Sequence, residues 1–120
     1  MTEFRPVALV GDIAPRTALR VFVDGTAIAV VRTDEGVFAI LDRCSHADVS
    51  LADGDVDGCA IECWLHGSAF DLRTGLPLSL PATVPVPVYA VEIRGEGETA
   101  QILLDPTPIQ AASSGPPAFN

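Results

Sequence analysis

A chain of 120 residues has room for one domain with its own core, but not for a second, catalytic domain. Sixteen acidic residues stand against seven arginines and no lysine, a formal net charge of −9, which argues against nucleic acid as a partner and suits a basic protein face. The N-terminus shows neither a charged leader with an apolar core nor a twin arginine. No run approaches eighteen apolar residues, so the expectation is a cytoplasmic protein without a membrane segment.

In chain order, Phe4 to Val10 is apolar but carries Pro6, which suits an edge strand. Ala18 to Val23 alternates, with Leu19, Val21 and Val23 on one face and Arg20 on the other, although Phe22 breaks the polar side. Asp24-Gly25 predicts a two-residue type I′ hairpin turn, because both positions need positive φ. Thr26 to Arg32 is the return strand. Thr33 to Gly36 turns the chain again, and Val37 to Leu41 is a third strand leading into a cysteine-histidine loop. Ala47 to Gly58 holds Asp48, Asp53, Asp55 and Asp57 without a basic residue and reads as a solvated acidic turn. Its Asp53 to Gly58 stretch resembles the start of a calcium loop, but the twelfth position, where a bidentate Glu belongs, is Trp64. Gly58 to Cys63 and Ala69 to Leu72 read as short strands. Leu76 to Pro87 has four prolines and should be extended and irregular. Val88 to Ile93 and Thr99 to Leu104 form a last hairpin, and beyond Asp105 a Pro- and Ser-rich tail reads as disordered, or at most pinned by Ile109 or Phe119. The result is an all-β domain over 1–105, a tail over 106–120, and antiparallel pairing throughout.

The chemistry concentrates between Asp42 and Asp71. Cys44-Ser45-His46 is followed, sixteen residues later, by Cys63-Trp64-Leu65-His66, and these hold both histidines of the chain. Two thiolates and two imidazoles make either a tetrahedral zinc site or a [2Fe–2S] cluster with Cys₂ on one iron and His₂ on the other. The spacing favours iron, because each short loop offers one Cys and one His rather than a like pair. The odd cysteine is Cys59. On a strand over 58–63 it shares a face with Cys63 at roughly 13 Å, too far for one metal site, and reads as a buried free thiol.

The run Cys63-Trp64-Leu65-His66-Gly67-Ser68-Ala69-Phe70-Asp71-Leu72-Arg73-Thr74-Gly75, with Leu80-Pro81-Ala82 and Val88-Tyr89-Ala90-Val91, resembles the Rieske [2Fe–2S] ferredoxins of bacterial ring-hydroxylating oxygenases. The resemblance covers about Phe4 to Leu104. It implies an antiparallel β base domain with an inserted cluster-binding lobe at about 42–74. It also implies Cys44 and Cys63 on the inner iron, His46 and His66 on the outer iron, and one cluster per chain. With all coordination positions filled by protein, such a centre moves electrons and has no catalytic residue of its own. The implied role is a monomeric one-electron carrier between a flavoprotein reductase and a terminal non-haem iron oxygenase, that is, a dioxygenase component. A related set of Rieske ferredoxins serves iron–sulfur cluster assembly, which is the second reading; a structural zinc module is the third. In high-potential relatives two further cysteines and a tyrosine stand where this chain has Val49, Leu65 and Phe70, and Ser68 alone matches. The expectation is therefore a potential near the low end of about −150 to +300 mV. Trp64 and Leu65 are expected to shield the cluster, and Gly67 and Gly75 to take positive φ or admit a close backbone approach.

Overall fold

In the computed structural model, residues 4–44, 49–65, 67–79 and 84–109 are described. Their strands are, in chain order, β1 (Arg5–Leu9), β2 (Thr17–Val23), β3 (Thr26–Thr33), β4 (Gly36–Leu41), β5 (Asp55–Asp57), β6 (Ala60–Glu62), β7 (Ala69–Asp71), β8 (Val88–Tyr89), β9 (Val91–Arg94) and β10 (Gln101–Leu104). All pairings are antiparallel. They form a four-stranded sheet in the order β2-β3-β4-β8 and two three-stranded sheets, β1-β10-β9 and β5-β6-β7.

Strand β3 explains the layering. Successive side chains of a strand point to opposite faces, and here both faces are covered. Ile28 and Val30 pack toward Leu104 and Ile102 of the β1-β10-β9 sheet. Ala29 and Val31 pack the other way, toward Leu51, Ile61, Phe70 and Leu72. This is why Thr26 to Arg32 carries almost no polar residue: a strand buried on both sides reads as a continuous apolar run. Each fully buried aliphatic side chain contributes about 1.5–3 kcal/mol. Strand β4 divides in the same way, with Ala39 on one side and Ile40 on the other.

The β2–β3 turn has Asp24 at φ 54 and Gly25 at φ 83, the conformation expected of a type I′ hairpin. Strand β1 lies at a sheet edge, and its pairing with β10 shifts register between Pro6 and Ala8, where the missing proline N–H interrupts the ladder. Strands β4 and β8 pair directly, Ala39 opposite Tyr89 and Ile40 opposite Val88. The chain between them contains the β5-β6-β7 sheet and both cysteine loops, so this lobe leaves and re-enters the large sheet at adjacent strands.

Three expectations need correction. The acidic segment is not a simple turn: Leu51–Asp53 is a 3-10 helix with Leu51 fully buried, and Asp55–Asp57 is β5. Val56 stands opposite Ile61 on the inner face, and one apolar residue in a three-residue strand is too little periodicity to read. Cys59 lies in the turn between β5 and β6, not on a strand, and is half-buried; the shared face with Cys63 therefore does not exist. The strand expected over 88–93 is split. Val88–Tyr89 joins β4, and Val91–Arg94 joins β10, so the chain passes from one sheet to the other at Ala90. Of the tail, Ile109 donates its backbone N–H to Val88 O at 2.9 Å; residues 110–120, Phe119 among them, lie outside the described residues.

Candidate metal centre

Cys44 follows β4 by three residues, and its N–H donates to Val49 O at 3.0 Å. Cys63 comes directly after β6. Its N–H donates to Ser68 O at 2.6 Å and its carbonyl accepts from Gly67 N at 2.9 Å, so the second loop closes within six residues. Both thiols are free of disulfide and buried. They belong to one apolar cluster with Ile40, Leu51, Ile61 and Phe70. The structure thus brings together the two expected cysteine ligands; His46 and His66 lie outside the described residues. Among the described residues no group of three or more His, Cys, Asp or Glu gathers as a metal site.

Each loop has its own support. Beside the first stands Asp42, whose side chain is fully buried. Its Oδ2 accepts from Arg20 Nε at 2.8 Å and from Ser50 Oγ at 2.6 Å, and its Oδ1 accepts from Ala52 N at 2.7 Å. Arg20 sits on β2 with its guanidinium carbon 5.1 Å from the centre of the Phe22 ring. This explains Phe22, the residue that spoiled the polar face of β2: it is exposed and stacks on the arginine. Sequence reading passed over Asp42 and Ser50 because nothing but distance in the fold connects them to Arg20.

The second loop is backed by the segment 75–79. Leu78 N–H donates to Ala69 O at 2.6 Å, and Ala69 N–H donates to Ser79 Oγ at 3.0 Å. Gly75 has φ 79, and a Cβ on it would stand 2.0 Å from Val86 O, so no other residue fits there. Gly67 also has positive φ, 77.

Two buried, reduced thiols offered from separate loops into one apolar cluster fit a thiolate-ligated iron centre. The sequence model of the Rieske [2Fe-2S] domain matches residues 3–90, well over half of the chain. The chain belongs to the Rieske [2Fe–2S] family.

Within that family it is similar to ferredoxin CarAc of Metapseudomonas resinovorans, 44% identical over 93 residues that cover 77% of this chain and 86% of the relative. Among solved structures it matches the ferredoxin of carbazole 1,9a-dioxygenase from Nocardioides aromaticivorans, with TM-score 0.79 and 36% identity over 88% of this chain and 100% of the other. It also matches a chain in a complex of reduced oxygenase and oxidised ferredoxin in carbazole 1,9a-dioxygenase, with TM-score 0.78, 34% identity, 91% of this chain and 98% of that one. The cofactor of this Rieske protein is accordingly a [2Fe–2S] cluster, and the zinc reading falls away. Its named relatives are ferredoxins, electron-transfer components rather than catalysts.

Trp64 is 54% exposed and Leu65 41%, so neither is core packing. They place an indole and an isobutyl group at the surface next to Cys63. Cys59 is distinct from both candidate ligands: burial pushes its thiol above the ordinary range, against an opposing pull from Arg73. Among the described residues no helix is long and apolar enough to cross a membrane.

Proposed function

We propose that Cys44, His46, Cys63 and His66 hold the cluster and that the protein is the ferredoxin of a ring-hydroxylating oxygenase system, receiving electrons singly from a flavoprotein reductase and delivering them to a terminal non-haem iron oxygenase. In this reading the Rieske domain spans 1–105 with its cluster lobe at about 42–74, residues 106–120 form a tail, and the carrier works as a cytoplasmic monomer. The observation that carries it is the pair of buried, unbridged cysteines meeting in one apolar cluster from two separate loops. The relatives named as oxygenase ferredoxins favour this role over cluster assembly, and the complex of oxygenase and ferredoxin supplies a precedent for the acceptor.

When bound, the cluster supplies one-electron redox chemistry at a centre with no open coordination position. The chain's own residues do the rest. The apolar packing of Ile40, Leu51, Ile61 and Phe70 keeps water from the cysteine side, which sets charge stabilisation through the few hydrogen bonds the loops provide. Exposed Trp64 and Leu65 offer an apolar contact beside Cys63 for a partner, and the net charge of −9 favours partners with a basic face. The test is a two-step transfer. The purified protein should contain two irons and two sulfides, be reduced by a reduced-nicotinamide flavoprotein reductase, and be reoxidised on mixing with a ring-hydroxylating oxygenase. Reduction without reoxidation by the oxygenase, alongside rapid transfer to a cluster-assembly protein, would reverse the assignment.

A further inference from the structure

The first cysteine loop is closed by a buried carboxylate. Asp42 precedes Cys44 by two residues and its backbone N–H donates to Ala27 O of β3 at 3.0 Å, so the outgoing stem is fixed to the large sheet. Its carboxylate then reaches the returning stem twice, at Ser50 Oγ and Ala52 N, and reaches β2 through Arg20 Nε. One side chain therefore joins three segments: the stem before Cys44, the stem after Val49, and the base sheet. The pair is asymmetric, since the Asp42 side chain is 0% exposed while that of Arg20 is 50% exposed. A buried carboxylate in this position needs all of its donors, because each lost donor leaves a desolvated charge unsatisfied. The second loop closes differently: Cys63 N donates to Ser68 O and Gly67 N to Cys63 O, and from behind Ser79 Oγ donates to Gly67 O and accepts from Ala69 N.

Arg20 is itself positioned. It lies opposite Ala29 in the β2–β3 register, on the side of the sheet where Ala29 faces the lobe, and Phe22 lies two residues on along the same face. The aromatic ring under the guanidinium limits where Arg20 can swing, and so where it can hold Asp42.

We propose that Asp42 is a positioning residue for the cluster: held by Arg20 and Phe22 on the base sheet, its carboxylate clamps the two stems of the first ligand loop and so fixes the stance of Cys44, while the Asp42–Arg20 pair sets a local charge balance that tunes the reduction potential. The inference rests on Cys44 being a ligand. Asp42→Asn keeps the shape but removes the charge, leaving the Arg20 cation uncompensated next to the loop; Arg20→Gln does the reverse. Since reduction adds negative charge, the two substitutions act with opposite sign, which a purely mechanical clamp does not do.

The experiment compares wild type, Asp42→Asn, Asp42→Ala, Arg20→Gln and Arg20→Lys, each reconstituted with iron and sulfide. Folding is followed by far-UV circular dichroism, cluster lifetime by visible absorbance in air, electronic structure by the g values of the reduced form, and potential by voltammetry. Asp42→Ala should lose its cluster about tenfold faster than wild type with shifted g values, and Arg20→Lys should recover most of the lifetime lost in Arg20→Gln. At fixed ambient potential the reduced-to-oxidised ratio should rise roughly threefold in Asp42→Asn and fall roughly threefold in Arg20→Gln, about 28 mV each at 59 mV per tenfold for one electron. Wild-type lifetimes, g values and potentials in Asp42→Asn and Arg20→Gln would overturn the proposal even if Asp42→Ala fails to fold. A wild-type protein that cannot take up the cluster at all removes the reading of Cys44 as ligand, and this proposal with it.

Discussion

The two cysteine loops offer the same kind of ligand and are built on different principles. The loop after Cys44 depends on side chains, with Asp42, Ser50 and Arg20 drawing its stems together from distant parts of the chain. The loop after Cys63 depends on backbone: two hydrogen bonds inside six residues, with the 75–79 segment pressed behind it through Leu78 and Ser79. A loop held by a charged side chain can be loosened by one conservative substitution. A loop held by backbone resists side-chain changes and is vulnerable mainly where a glycine is obligatory.

The largest expected effect removes what the loops share. Cys44→Ala and Cys63→Ala should each abolish the cluster, seen as loss of iron, sulfide and the visible spectrum, whereas Cys59→Ala should keep all three because that residue sits in the β5–β6 turn and belongs to neither loop. An intact cluster in Cys63→Ala would break the comparison at its root.

Next comes the obligatory glycine behind the second loop. Gly75→Ala puts a Cβ 2.0 Å from Val86 O at a φ of +79, so its cost should exceed the roughly 1–3 kcal/mol of a left-handed backbone alone. Chemical denaturation should show this, and it should exceed the effect of Ser79→Ala, where two hydrogen bonds, from Ala69 N and to Gly67 O, each worth about 1 kcal/mol or less, are lost. Equal effects would mean that the 75–79 segment is not held as the geometry indicates.

Much of this arrangement was legible in the amino-acid sequence, and the limits have physical causes. Asp24-Gly25 demands a single turn type, and the alternation of β2 against the unbroken apolar run of β3 distinguishes a one-sided from a two-sided strand, so the meander could be read locally. The Cys-x-His and Cys-x-x-His runs named the candidate ligands for the same reason. What could not be read was whatever depends on distance in the fold: Asp42 finding Arg20 twenty-two residues earlier, Ala90 carrying the chain between sheets, and a three-residue strand whose only apolar residue is Val56.

A finer distinction concerns hydrogen bonding near the cysteines. Phe70 and Ser68 are both fully buried in the lobe. Adding a donor with Phe70→Tyr should raise the potential and removing one with Ser68→Ala should lower it, each by roughly 20–60 mV on the scale of 59 mV per tenfold. Voltammetry showing shifts of the reverse sign would mean that other groups face the sulfurs.

The smallest effect is kinetic. With its thiol pushed above the ordinary range by burial, Cys59 has less thiolate near neutral pH than an exposed cysteine. Alkylation by iodoacetamide should therefore be slower than for a free thiol and accelerate as pH rises toward the raised value. Arg73→Ala, removing the one opposing charge, should slow it further; a faster reaction would show that the arginine shields the thiol sterically.

The two-faced burial of β3 gives the protein a built-in thermometer. Neighbouring residues Val30 and Val31 report on different cores, one shared with the β1-β10-β9 sheet and the other with the cysteine lobe. If the lobe loosens, Val31 loses its cover while Val30 keeps its own, so adjacent methyl groups on one strand should sense melting at different temperatures. Side-chain resonances of this valine pair can then separate release of the lobe from collapse of the whole fold in a single heating experiment.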